Sequence, residues 1–153
     1  MNFKSSKLKK LSIVFLIIFA FYSCSKKDAQ EIVCDLGFEG TDCKTEIRSK
    51  FYGTYAVEQN CSGSSTTVNY NCLISGVTGN INQIKFSDFG NLSTLGATDE
   101  FIATIDGNSF VIIEKTFSGL TINGSGNISN NVINVTIEYT GTNFSCTDTY
   151  TRQ

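Results

Sequence analysis

From Phe51 onward the apolar residues recur at every second position, in short runs separated by turn residues. Phe51, Tyr55, Val57 and Cys61 fall on one face of the first run; Val68, Tyr70, Cys72 and Ile74 alternate with Asn69 and Asn71 in the next. Ile84 and Phe86 follow, then Phe101, Ala103 and Ile105. Asp106-Gly107-Asn108 comes next, a strong hairpin signal because Gly accepts the positive φ of a tight turn. Phe110 and Ile112 lie beyond it, and Leu120 and Ile122 lead to Gly124 and Gly126. Ser129-Asn130-Asn131 turns the chain into Ile133, Val135, Ile137 and Tyr139, the cleanest alternation present. Gly141-Thr142-Asn143 turns it again before Phe144, Cys146 and Tyr150. A period of two sends successive side chains to opposite faces of a strand. The reading is therefore eight short strands, one about every 13 residues, and no helix.

Polar residues at the alternate positions indicate antiparallel pairing with one wet face. Consecutive hairpins favour a meander, and closing it removes the exposed edges. The predicted fold is all-β, a small antiparallel eight-stranded meander barrel over residues 50–153, with a two-sheet β-sandwich as the alternative. Asn123-Gly124-Ser125-Gly126 reads as a kink or bulge in its strand. The first strand opens with Gly53-Thr54-Tyr55, a Gly-x-aromatic motif. With the strand pattern over about 100 residues, it is similar to lipocalin-like domains of Bacteroidota lipoproteins, with Tyr55 where that family usually has Trp.

The N-terminus is patterned differently. Lys4, Lys7, Lys9 and Lys10 precede an apolar run from Leu11 to Tyr22, then Ser23 and Cys24. A basic start followed by a short apolar stretch matches an export signal. The run is well short of the roughly 20 residues that a spanning helix needs. The stretch resembles the lipobox of bacterial lipoproteins, with Phe21 and Tyr22 as bulky departures like those in Bacteroidota. The resemblance implies a signal peptide over 1–23, acylation (palmitate among the chains) of Cys24, and a lipidated tether over 24–33. The implied partner is a membrane, reached through several acyl chains, which anchor stably where one does not. Ser25, where an inner-membrane retention signal prefers Asp, points to the bacterial outer membrane. Lys26-Lys27-Asp28 looks like a surface-export tag or else a charged tether, so both periplasmic and cell-surface orientations stay open.

Cys34-Asp-Leu-Gly-Phe-Glu-Gly-Thr-Asp-Cys43 is a distinct unit. It resembles the final loop of an EGF-like module, which implies a Cys34–Cys43 disulfide. Gly37 and Gly40 can make the tight double turn this needs. Ile32 stands where the complete module has a further cysteine, so calcium binding is not implied. Residues 44–49 read as a linker. With Cys24 acylated and Cys34 paired, Cys61, Cys72 and Cys146 remain, all on the inward face by alternation. In a closed meander the first and last strands are neighbours, so Cys61–Cys146 is the expected disulfide and Cys72 the free thiol. Cys72–Cys146 is the alternative pairing.

Composition narrows the chemistry. From Cys24 onward there are 8 basic and 14 acidic residues and no basic patch, which disfavours nucleic acid as a partner. The chain has no His, so Ser-His-Asp and Cys-His catalytic pairs cannot be built. It has no phosphate loop and no EF-hand. Among the strand acids Glu114, Glu138 and Asp148, only Asp148 shares the face of Cys146 and Tyr150, and it is expected at the barrel mouth. The expectation is a non-catalytic protein without cofactor or metal.

Two function classes follow. In the first, the barrel interior or mouth binds a small apolar or glycan ligand, for which eight strands are just wide enough. In the second, large inward residues fill the interior. The domain is then a solid-core envelope or surface interaction module, meeting a protein or glycan with its outer face. A cavity of about 300 Å³ or more would mark the first. A packed interior with exposed Val111 and Ile113 would mark the second.

Overall fold

The computed structural model describes residues 32–96, 100–117 and 119–153. The leader, Cys24 and the tether as far as Glu31 lie outside the described residues. The small strands β1 (Phe38–Glu39) and β2 (Thr45–Glu46) pair antiparallel, and the short 3₁₀ helix η1 (Ile47–Phe51) follows. Eight longer strands come next: β3 (Gly53–Cys61), β4 (Val68–Val77), β5 (Asn80–Phe86), β6 (Phe101–Asp106), β7 (Ser109–Phe117), β8 (Leu120–Ser129), β9 (Val132–Thr140) and β10 (Ser145–Arg152). Each pairs antiparallel with its sequence neighbours, and β10 returns to β3, so the sheet is a closed meander barrel and not a sandwich. A second 3₁₀ turn, η2 (Leu92–Leu95), lies in the connection from β5 to β6.

The period-two pattern becomes the inside of this barrel. Tyr55, Val57, Cys72, Ile74, Ile84, Phe86, Phe101, Ala103, Phe110, Ile112, Ile122, Ile133, Val135, Ile137 and Tyr150 are all buried. Removing such side chains from water supplies about 1.5–3 kcal/mol each for the larger ones. The turns follow their residues. Asn130 and Asn131 both take positive φ (51° and 64°), the backbone of a two-residue hairpin turn whose twist matches the strands it joins.

Two local readings change. Phe51 does not open the first strand. It ends η1, and its ring plugs the barrel end where the chain enters, 5.7 Å from Phe110. Gly124 and Gly126 make no kink, because β8 stays in unbroken register with β9 from Thr121 to Ser129. The bulge lies opposite, in β7: Ile112 faces Gly124, but Lys115 already faces Ile122. Two residues, Ile113 and Glu114, therefore stand against Asn123 alone, and beyond them Lys115 lies over the Phe101 ring, 5.3 Å from its centroid.

The N-terminal loop packs against the barrel as part of one unit from Cys34 to Gln153. Cys34 and Cys43 are disulfide-bonded, and a methyl group on Gly37 would strike Ile81. In the segment read as a linker, Thr45 and Glu46 form β2. Arg48 donates to the carbonyls of Val77 and Asn80 (2.9 and 2.8 Å), where the β4–β5 register slips.

Candidate functional site

Cys61 and Cys146 are register partners across the seam that closes the barrel, joined by a disulfide with 4.0 Å between their Cα atoms. Cys72 is a free thiol inside the wall. Burial pushes its pKa up to about 11, against backbone and Ser87 hydrogen bonds that pull it down, so it is a poor nucleophile.

The interior is crowded with rings. Phe86 lies 5.4 Å from Phe110 and 6.0 Å from Tyr150, and Tyr55 lies 6.0 Å from Tyr150, mostly edge to face. These strand-borne rings fill the barrel interior. The β5–β6 connection turns inward as well and buries Phe89 and Leu92. Phe89 lies 5.2 Å from Phe101 and 5.4 Å from Phe86. The space a ligand would take in an open barrel is thus held by the protein's own side chains.

Beneath that connection sits a buried polar cluster. Asp148 on β10 is 1% exposed, and Gln59, its register partner on β3, is 5% exposed. Tyr70 on β4 donates its hydroxyl proton to Asp148 Oδ2 at 2.5 Å and lies 3.2 Å from the Tyr150 hydroxyl. The Tyr70 oxygen also accepts the Gly90 N–H at 3.1 Å. Asp148 Oδ1 and Gln59 Nε2 are buried with no hydrogen bond to any third group, and the Gln59 amide faces the carboxylate across the β3–β10 pair. Burial raises the Asp148 pKa above the ordinary carboxylate value; the Tyr70 hydroxyl and the nearby Gln59 amide oppose the rise, and Asp88 adds to it. Burial, then Asp148, raises that of Tyr70.

The sign of the linkage follows. A carboxyl whose pKa is higher folded than unfolded binds its proton more readily in the native state. Its contribution to stability is therefore greatest below the ordinary carboxylate pKa and is lost as pH rises through the folded value. Asp148→Asn keeps an acceptor for Tyr70 and removes the buried charge. It is expected to raise stability at pH 7 by about 1–3 kcal/mol and to leave it nearly unchanged at pH 3. Urea unfolding at the two pH values checks this, and equal effects at both would contradict the buried charge.

The outer wall holds a different feature. An open depression of about 710 Å³ crosses β7, β8, β9 and β10. Register pairing arranges its outward residues in two rungs: Val111, Ser125, Thr136 and Thr147 in one, Ser109, Asn127, Asn134 and Thr149 in the other. Seven of these eight are neutral hydrogen-bonding side chains, and Val111 is 61% exposed. Ile113, just beyond at the bulge, is 48% exposed. Gly126 lies in the floor, where a methyl group would come within 2.5 Å of the Phe110 ring and 2.7 Å of the Asn134 carbonyl. The wall can lie this close to the ring only because residue 126 has no side chain. Among the described residues no group of three or more Cys, Asp or Glu side chains is placed to hold a metal ion.

The alternation turns Asp148 inward, as observed, but the carboxylate is buried beneath the β5–β6 connection and not open at the mouth, and the sequence pattern assigns Gln59 and Tyr70 no role beside it. Gln59 continues the inward series of Tyr55 and Val57, the signal that could have found it.

No family model matches the chain, and no curated protein matches it. Two solved structures are similar in outline. One is a single-residue mutant of the fluorescent protein UnaG, 14% identical over 69% of this chain and 97% of that one, with a TM-score of 0.43. The other is fatty-acid-binding protein 1 of Echinococcus granulosus, 11% identical over 68% and 98%, also with a TM-score of 0.43. The barrel assignment itself stands on the strand pairing.

Proposed function

We propose that this protein is a non-catalytic binding module, held on the bacterial outer membrane by lipid on Cys24, whose outer wall recognises a neutral glycan. The basic start, apolar run and Ser23-Cys24 junction support the anchor. Two disulfides suit an exported domain. The observation that carries the binding reading is the wall over β7 to β10. There, two in-register rungs of hydroxyl and carboxamide groups surround an exposed valine, over an interior already filled. Strands about 4.8 Å apart repeat donors and acceptors at sugar-ring scale. No charged side chain in the two rungs calls for an ionic partner.

Purified protein screened against neutral polysaccharides should bind at least one. Thr136→Arg, central and exposed, should weaken that binding at least tenfold without changing the melting temperature. Retained binding in this variant, or no neutral glycan bound at all, would remove the proposal. Exposed Val111 and Ile113 together favour a second reading, a protein partner on β7. Ile113→Glu separates the two, since it should abolish a protein contact and leave glycan binding intact.

A further inference from the structure

The outer wall over β7 to β10 continues past its two rungs. A third follows in register: Asn123 on β8, Glu138 on β9 and Ser145 on β10. An open depression of about 220 Å³ is lined by Asn123 and Glu138 together with Val111, Ser125 and Thr136 of the neighbouring rung. Another, of about 460 Å³, runs from Glu138 to the β9–β10 turn, where Phe144 lines it. The three depressions share residues in succession. Val111, Ser125 and Thr136 join the first to the second, and Glu138 joins the second to the third. Their common line is β9, whose outward residues Asn134, Thr136 and Glu138 give a straight path of about 14 Å before the turn.

Phe144 ends that path and is held in place. It is 43% exposed, and its ring lies 5.1 Å from that of Tyr139, which backs it. Its N–H donates to Thr142 Oγ1 at 3.1 Å, and that hydroxyl donates to the Tyr139 carbonyl at 2.8 Å. The Phe144 carbonyl accepts the Tyr139 N–H at 3.3 Å. A ring ordered in advance loses little entropy when a ligand stacks on it.

We infer, resting on the glycan reading of this wall, that Phe144 is a stacking subsite and that the glycan is a straight β-1,4-linked chain of sugars with equatorial hydroxyls, lying along β9 from Asn134 to Phe144. The face of an aromatic ring is negative and attracts the C–H bonds on the face of such a sugar, which an axial hydroxyl would hold away. Glu138, between Thr136 and the turn, accepts hydroxyl protons and repels acidic sugars. A β-1,4 chain of this kind is extended, as the strand beneath it is; an α-1,4 chain coils away from a straight path.

The test uses the mature chain with both disulfides intact and cellohexaose as the probe, followed by calorimetry. Cellohexaose should bind at least tenfold more tightly than maltohexaose, the same sugar in α linkage, and at least tenfold more tightly than cellobiose, which is too short for the path. Phe144→Leu keeps an apolar contact for Tyr139 but has no ring face, and should weaken cellohexaose at least tenfold at an unchanged melting temperature. The chain contains no Trp, so Phe144→Trp retains binding and adds a single fluorescent reporter, whose emission should shift to the blue on saturation with cellohexaose. Wild-type affinity in Phe144→Leu, equal affinity for cellohexaose and maltohexaose, or an unmoved emission at saturation overturns the subsite. Should cellohexaose fail to bind while another neutral polysaccharide binds and Thr136→Arg abolishes that binding, this inference falls and the wall reading stands. If no neutral glycan binds, both fall.

Discussion

Replacing Cys61 and Cys146 together with serine is expected to lower stability by about 4 kcal/mol. The disulfide spans 85 positions and so closes nearly the whole barrel sequence. Cutting it releases the unfolded chain from a long loop, and the chain-entropy model assigns most of the stabilisation to that constraint. In the folded state the bond sits on the β10–β3 seam, the one pairing in the barrel between strands that are not adjacent in sequence. The other seven pairings join strands adjacent in sequence, so this seam is where a meander opens first. The melting temperature should fall by roughly 12–20 °C. The Cys34→Ser, Cys43→Ser pair should cost less, about 2–3 kcal/mol, because its loop spans only 9 positions. Denaturant unfolding of the two double variants gives the comparison. If the short loop proves the costlier one to cut, the seam is not the weak line of the barrel.

The same seam shows why so much of the fold could be read in advance. Burying one face of every strand forces a strict period of two, and Ile133 to Tyr139 record it without error. Closure then makes first and last strands neighbours, which placed Cys61 against Cys146 and left Cys72 unpaired. What could not be read depends on contacts between residues far apart in sequence. Phe51 keeps the alternation of β3 yet sits in a 3₁₀ turn, because a ring two positions before a strand looks the same whether it lines the wall or plugs the end. Phe89 and Leu92 lie in a stretch with no period, and only the structure shows them turned into the core. Asp148 was legible as inward, but its hydroxyl partner Tyr70 lies 78 positions away. The outer rungs look like any wet face in sequence. Register alone brings Val111, Ser125, Thr136 and Thr147 into one line.

Gly126→Ala is expected to cost about 2–3 kcal/mol, far above the effect of adding one methyl group to an ordinary strand position. Alanine suits a strand no worse than glycine and would stabilise an open site. Here its Cβ arrives 2.5 Å from the Phe110 ring and 2.7 Å from the Asn134 carbonyl, distances that real atoms do not hold. The ring cannot simply swing aside, because Phe51 and Phe86 pack on it at 5.7 and 5.4 Å. β8 cannot lift away without breaking its ladder with β9. The two obstacles can be separated experimentally. Phe110→Leu alone should cost about 1–2 kcal/mol through lost packing. In the double variant the ring is gone and only the carbonyl clash remains, so the total should fall short of the sum by about 1 kcal/mol, a coupling that a double-mutant cycle measures directly. Strict additivity would mean that glycine at 126 answers to the strand ladder and not to the ring, and the account of the wall lying down on Phe110 would fail with it.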